Sequence, residues 1–149
     1  MTIWFDGSED IASTIPDIGS SLDNHGEHYV GITRLMPGLT SVELIDQGRD
    51  FVTIQTNEGL MTRTSITKRI EAARVTVEFD EEYRANRMVS VTSHHSEEYT
   101  TVDTGVRCRI VLSDVESPGF LGFFYRTFGR SNIGNTLLRS TKGYFEKTS

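Results

Sequence analysis

The four histidines of the chain occur in two short stretches that could supply metal ligands. His25 and His28 lie three positions apart with Glu27 between them, and His94 and His95 are adjacent. Imidazole and carboxylate groups are competent ligands for zinc or iron. His25 and His28 would share one face of a helix, but adjacent histidines in a strand point to opposite faces of a sheet. The spacing matches no established metal motif, so we predict no metal site and exposed histidines near an acidic surface.

Dense acidic runs at 80–82 and 97–98 are the candidates for acid–base chemistry. Such chemistry on a sugar or a polyketide needs two groups whose pKa values differ. Both runs lie near the ends of predicted strands, beside turns, where acids are usually solvated. We therefore expect solvated carboxylates here, and the catalytic residues of any enzyme activity stay unknown.

Neither a reactive cysteine nor a phosphate-binding loop is expected. Cys108 is the single cysteine, which excludes an internal disulfide and a cysteine-based zinc cluster. Its position on the apolar face of a predicted strand indicates a buried thiol with a raised pKa. The glycines within 119–122 are not followed by the lysine and hydroxyl residue of a P-loop.

Charge is distributed unevenly along the chain. The formal net charge of −6 argues against a nucleic-acid binder, because contacts to phosphates need a surplus of Lys and Arg. Residues 118–149 carry a net charge of +4, which leaves −10 for residues 1–117. We interpret the basic segment as a solvated helix face beside an acidic sheet.

The N-terminal third is predicted to hold one short strand and two short helices. The strand covers residues 1–6 and ends at Asp6-Gly7, after which Ser8 would serve as a helix N-cap. Pro16 and Gly19 make one long helix improbable, so a second short helix is predicted over 23–33.

From residue 39 to residue 113, short alternating runs rich in Thr, Val and Ile indicate strands. Six strands are predicted, at 40–47, 50–56, 60–70, 74–83, 87–99 and 105–112. The connections are short enough for antiparallel hairpins, so a meander is the simplest arrangement. One face of each strand is apolar and the other is charged, which predicts a sheet covered on one side.

The last thirty residues are predicted to supply that cover. Ser117-Pro118 is typical of a helix start, and four phenylalanines and a leucine follow within residues 120–128. An apolar stripe continues to Phe145. Three interior glycines, Gly129, Gly134 and Gly143, mark either a break in the helix or a close approach to the sheet.

In this order of elements the chain resembles the START-like superfamily, also called the SRPBCC or Bet v 1-like fold, and within it the polyketide cyclase and lipid-transport branch. The resemblance rests on the β-α-α-β6-α order, the Met-Pro-Gly segment at 36–38, the Glu58-Gly59 hairpin and the terminal helix over 119–146. It covers nearly the whole chain, but none of these features is a catalytic motif. It implies an α+β helix-grip fold, in which a curved antiparallel sheet wraps around a long C-terminal helix.

The resemblance also implies an elongated cavity between sheet and helix that accepts a small apolar or aromatic molecule. Threonine is common at strand positions, and inward hydroxyl groups would orient such a ligand. The predicted lining residues are Thr62, Thr64, Val75, Val77, Phe79, Val106, Cys108, Ile110, Phe124, Phe128 and Leu137.

Three functions follow as hypotheses. The first is binding or transport of a lipid-like or polyketide-like molecule. The second is a polyketide cyclase, dehydratase or hydrolase that uses the same cavity, with Tyr83, His94 or Arg63 moving protons if they point inward. The third is a protein-interaction module built on the basic C-terminal helix.

Length and composition limit the number of domains and the classes of protein to which the chain can belong. With 149 residues, 36% of them apolar and 24% charged, the chain is expected to form one domain over 1–149. No stretch approaches the ~20 consecutive apolar residues that cross a bilayer, and the first residues lack the pattern of a signal peptide. We therefore expect a cytoplasmic monomer or homodimer that needs no cofactor and neither inserts stably into a membrane nor binds nucleic acid.

Overall fold

The described part of the chain forms seven strands and three helices. The computed structural model describes residues 2–85, 90–117 and 130–147. The strands are β1 (Ile3–Ile11), β2 (Val42–Gln47), β3 (Val52–Thr56), β4 (Leu60–Ile70), β5 (Arg74–Arg84), β6 (Ser90–Val102) and β7 (Gly105–Glu116). The helices are α1 (Ile15–Leu22), α2 (His25–Thr33) and α3 (Arg130–Lys147).

The strands form a single antiparallel sheet in the order β1-β7-β6-β5-β4-β3-β2. Strands β2 to β7 are therefore the predicted meander, and β1 joins the sheet by pairing with β7. Helix α3 packs against β1, β7 and α2. The predicted helix-grip α+β arrangement, with an antiparallel sheet covered by the C-terminal helix, is confirmed.

Alternation along the strands sorts side chains between the two faces of the sheet, as predicted. In β5, Val75, Val77 and Phe79 are at most 1% exposed, whereas Arg74 and Glu78 face solvent. In β7 the even-numbered residues from Val106 to Leu112 are buried in the same way. The inner face therefore forms the core together with the three helices.

The predicted end of the first strand at Asp6-Gly7 is wrong, as is the predicted N-cap at Ser8. Strand β1 continues to Ile11, and α1 begins after Thr14, whose Oγ1 accepts a hydrogen bond from the backbone N–H of Asp17 at 3.3 Å. Pairing with β7 extends the strand through the turn-like residues. Because that partner lies near the other end of the sequence, local turn chemistry does not reveal it.

The C-terminal helix approaches the sheet closely at Gly134. A Cβ atom at this position would collide with the ring of Phe5 in β1. Close approach is therefore the role of this glycine. The predicted helix start after Ser117 and the phenylalanines at 120–128 lie outside the described residues. None of the described helices is both long and apolar enough to span a bilayer.

Candidate functional site

A small cavity of about 50 Å³ lies between the inner face of the sheet and α3. Its apolar lining includes Trp4, Met61, Val91, Leu112, Ile133 and Leu137. Its polar lining consists of Arg63, Glu81, Ser93 and His95. A mostly apolar wall with a few fixed polar groups is typical of sites for small molecules.

Six of the predicted lining residues are buried in the core on the inner face of the sheet. They are Val75, Val77, Phe79, Val106, Cys108 and Ile110, each at most 1% exposed. Burial raises the pKa of the Cys108 thiol, in keeping with the predicted core cysteine. Leu137 lies on the cavity wall. Phe124 and Phe128 lie outside the described residues, and contact between a ligand and the six core residues stays a prediction.

The predicted orientation of Thr62 and Thr64 is wrong. In β4, Met61 and Arg63 are buried, so the two threonines lie on the outer face, where Thr62 is half-buried and Thr64 is exposed. The threonines border a solvent-facing groove of about 520 Å³ on that face. The inner wall of the cavity therefore holds an arginine where the sequence predicted hydroxyl groups.

Arg63 forms a buried ion pair with Glu81. Its Nε lies 2.9 Å from Glu81 Oε2, and the two side chains are 4% and 14% exposed. The guanidinium group lies over the rings of Tyr29 and Phe79, at 4.5 and 4.6 Å from their centroids. Contact with aromatic faces offsets part of the hydration that a buried cation loses. Of the three residues that the sequence named as possible proton carriers, Arg63 is buried and Tyr83 is half-buried on the inner face, whereas His94 lies on the outer face.

His95 lies beside this ion pair as a neutral base. Its ring stacks on Phe79 with the centroids 4.7 Å apart, and its Nε2 lies 3.1 Å from Ser93 Oγ and 3.7 Å from Glu81 Oε2. Burial lowers the pKa of His95 to about 4 despite the attraction of Glu81. The imidazole is therefore uncharged at neutral pH.

The carboxylate of Glu81 stays ionised in this setting. Burial alone would raise its pKa, but His95 and Arg63 together bring it below its ordinary value. Because His95 is uncharged at neutral pH, the guanidinium group supplies the charge that acts there. The cavity wall thus holds one cation and one anion, whose charges cancel.

Glu97 and Tyr99 form a second polar pair further along β6. The Tyr99 hydroxyl donates to Glu97 Oε2 at 3.1 Å, and both side chains are buried. Burial raises the pKa of the Glu97 carboxyl. The low-dielectric surroundings therefore favour the protonated, neutral acid.

The prediction that both acidic runs are solvated is therefore wrong for one residue in each run. Glu81 lies on the same face of β5 as the buried Val75, Val77 and Phe79. Glu97 lies on the same face of β6 as the buried Tyr99. Strict alternation along each strand thus predicts that these two acids point inward. Proximity to strand ends, on which the prediction of solvated acids rests, does not determine which face a side chain takes.

Two of the histidines predicted to be exposed lie buried in helix α2. His28 Nδ1 lies 2.7 Å from Ser21 Oγ, and burial, reinforced by the charges of Arg63 and Lys68, lowers the pKa of His28 to about 3. His25 Nδ1 lies 2.9 Å from the ammonium group of Lys68, and its Nε2 lies 2.8 Å from the carbonyl oxygen of Gly48. His25 therefore ties the start of α2 to the sheet. Across residues 2–85, 90–117 and 130–147, no three His, Cys, Asp or Glu side chains are grouped to hold a metal ion.

His94 is the histidine of the outer face. Its Nδ1 lies 2.8 Å from Asp80 Oδ1, and this hydrogen bond raises the pKa of His94. On the basic C-terminal segment, Lys142 is paired with Glu146 at 2.8 Å, while Arg139 is exposed. Residue 126 lies outside the described residues.

No protein-family model matches the sequence, and no curated protein matches it. Solved structures do resemble it. A STAR-related lipid transfer protein from Xanthomonas axonopodis is similar with a TM-score of 0.57 at 11% identity, covering 94% of this chain and 84% of that one. A human lipid transfer and protein localization domain has a TM-score of 0.57 at 8% identity, with 94% and 75% covered.

A third similar structure is the di-domain ARO/CYC protein of the steffimycin biosynthetic pathway. Its TM-score is 0.51 at 10% identity, and the match covers 97% of this chain and 51% of that one. At these identities the likeness concerns the fold alone. The element order, the sheet topology and these likenesses agree, and the chain has the helix-grip fold of the START-like, or Bet v 1-like, superfamily.

Proposed function

We propose that this chain binds a small apolar or aromatic molecule, lipid-like or polyketide-like, between its sheet and helix α3. The observation that carries the proposal is the cavity itself, whose apolar walls surround the fixed polar groups of Arg63, Glu81 and His95. Solved structures of the same fold carry names that refer to lipid transfer and to an ARO/CYC protein, which supports the same class of ligand. We also propose that the protein is a cytoplasmic, single-domain carrier that needs no cofactor.

Ligand binding in this cavity requires its walls to move. A volume of about 50 Å³ suits one or two water molecules, whereas sites for small organic ligands span roughly 300–1,000 Å³. The sheet side is held by the backbone hydrogen bonds that join β4 to β7. Ile133 and Leu137 of α3 reach the cavity through side-chain packing only, so we place the displacement on this side.

Mass spectrometry tests the proposal directly. The purified protein is measured under native conditions and then extracted with denaturant. We expect a copurifying apolar compound, or a melting temperature that rises with at least one member of a panel of lipids and aromatic polyketides. If no compound copurifies and no member of the panel changes the melting temperature, the proposal is contradicted.

Shortening Leu137 to alanine should enlarge the cavity and increase binding of a small apolar probe such as naphthalene. The same change should lower the free energy of unfolding by about 2–5 kcal/mol, because it removes buried methyl groups. Leu138→Ala is the matched control, since Leu138 is equally buried on the same helix but lies against Gly7 of β1. Calorimetric titration and urea unfolding of both variants separate the two effects, and equal gains in probe affinity would place the site elsewhere.

An enzyme of the cyclase or dehydratase type is the second candidate function. The observation that favours it is the buried, neutral imidazole of His95 on the cavity wall beside an ion pair. General-base catalysis works best when the pKa of the base lies near the working pH. The pKa of His95, lowered to about 4, makes it a weak base and favours binding over turnover. Conversion of a linear poly-β-ketone by the wild type, lost in His95→Gln, would reverse this preference.

A further inference from the structure

Three buried polar side-chain atoms have no hydrogen-bond partner among the described residues. They are His28 Nε2, Tyr29 Oη and His95 Nδ1. Of the three residues, His95 lines the cavity between the sheet and α3. An unpartnered polar atom in a protein interior is unfavourable, so it calls for a partner that the described residues do not supply.

The surroundings of His95 determine which kind of partner fits. Its Nε2 faces two oxygens, the hydroxyl of Ser93 at 3.1 Å and the ionised carboxylate of Glu81 at 3.7 Å. The negative charge of the Glu81 carboxylate favours a proton on Nε2, and the Ser93 hydroxyl can accept the hydrogen bond from it, so the neutral imidazole carries its proton on Nε2. Nδ1 then carries a lone pair, and stacking on Phe79 fixes the plane in which that lone pair lies. The missing partner is a hydrogen-bond donor.

The charges around the cavity limit the ligand further. Arg63 and Glu81 already neutralise each other at 2.9 Å, and His95 is uncharged. Burial also favours the neutral form of Glu97. The cavity wall therefore offers no free positive charge to a ligand carboxylate. Burying an unpaired charge is strongly unfavourable.

Building on the proposed function, we propose that the ligand is an uncharged molecule whose hydroxyl group donates a hydrogen bond to His95 Nδ1. A phenol or an alcohol meets both requirements. An apolar hydrocarbon leaves Nδ1 unpartnered, and a carboxylic acid either brings an unpaired charge or must bind a proton first.

The first test needs no ligand. Long-range proton–nitrogen NMR of the histidine side chains at pH 7 should show His95 as the tautomer with the proton on Nε2. A proton on Nδ1 would overturn the proposal, because that nitrogen would then be a donor. His95→Gln serves to assign the signal.

The second test compares naphthol, naphthalene and naphthoate, which share one aromatic body. Calorimetric titration should give naphthol about tenfold tighter binding than naphthalene, with naphthoate the weakest. If naphthalene binds as well as naphthol, or naphthoate binds best, the inference fails while the proposed function stands. If none of the three binds but a member of the lipid and polyketide panel does, this inference fails and the proposed function stands; if the panel does not bind either, both fail.

Paired substitutions assign the preference to one atom. His95→Asn keeps a polar acceptor near the position of Nδ1, whereas His95→Gln keeps a donor near Nε2 and loses that acceptor. We expect the preference for naphthol over naphthalene to persist in the Asn variant and to disappear in the Gln variant. His94→Gln is the matched control, since the adjacent histidine lies on the outer face and should leave the preference unchanged. Loss of the preference in all three variants would contradict the assignment.

Discussion

Replacing Arg63 by methionine is expected to lower the free energy of unfolding by about 3–5 kcal/mol. The substitution keeps an unbranched apolar chain of similar length but removes the guanidinium group that lies 2.9 Å from Glu81 Oε2. The Glu81 carboxylate then stays inside the protein without a countercharge, which is the main cause of the loss. Urea unfolding at pH 7 measures the change, provided that the dependence on urea concentration stays the same.

An exposed ion pair on the same sheet provides the control for this prediction. Arg74 pairs with Glu98 on the outer face, where the two side chains are 52% and 32% exposed. Arg74→Met should therefore change stability by no more than about 1 kcal/mol. If Arg63→Met and Arg74→Met lower the free energy of unfolding equally, burial does not make the Arg63 ion pair more important for stability than the exposed one.

A double variant separates the ion pair from the space it fills. Arg63→Met combined with Glu81→Leu removes both charges and should recover most of the stability lost in Arg63→Met, because apolar replacements of buried ion pairs are often neutral or stabilising. If the double variant is as unstable as the single one, packing rather than charge explains the loss. Recovery would support a role for the pair beyond stability, at the wall of the proposed ligand cavity.

The fold could be predicted from the sequence where local chemistry decides it. Strand β4 begins at Leu60 and ends at Ile70 as predicted, and the turn residues that mark its start are Asn57 and Gly59. Strand β1 could not be delimited, since its last residues are held by pairing with β7. Long-range pairing leaves no trace in the local pattern.

The candidate site was harder to predict than the fold, for a related reason. Glu81 and Glu97 point inward because each is in phase with buried residues on its strand. Acids are rarely buried unless they have partners, and the charged partner of Glu81 comes from another strand. Arg63 lies on β4, opposite Glu81 in the register of β4 and β5. Only the pairing of these strands places the cation beside the anion.

Acidification from pH 7 to pH 4 is expected to reduce the free energy of unfolding by several kcal/mol. His28 and His95 are buried, and their folded pKa values of about 3 and about 4 lie below the ordinary value of 6.5. Below pH 6.5 the unfolded chain binds protons that the folded protein excludes, so stability falls as the pH is lowered. The loss starts near pH 6.5 and ends near the folded pKa values, and each pKa difference of one corresponds to about 1.4 kcal/mol.

Three further groups with shifted pKa values, Glu81, Glu97 and His94, also affect this pH profile. Glu81 has a lowered pKa, so it adds a loss of stability below pH 4.5, where the unfolded carboxyl binds a proton first. Glu97 and His94 have raised pKa values, so each favours the folded state as the pH falls. The His94 contribution is small because the group is partly exposed and screened by solvent.

Substitutions at His28 and His94 show which groups cause the loss of stability in acid. His28→Gln cannot bind a proton in this range, so its free energy of unfolding should fall less steeply between pH 6.5 and pH 4.5 than that of the wild type. Comparing slopes rather than absolute values removes any packing defect that the substitution causes. His94→Gln should leave the slope unchanged or make it slightly steeper, because it removes a group that favours the folded state in acid. A wild-type profile that is flat from pH 7 to pH 5, or an unchanged slope in His28→Gln, would show that the buried imidazoles do not resist protonation.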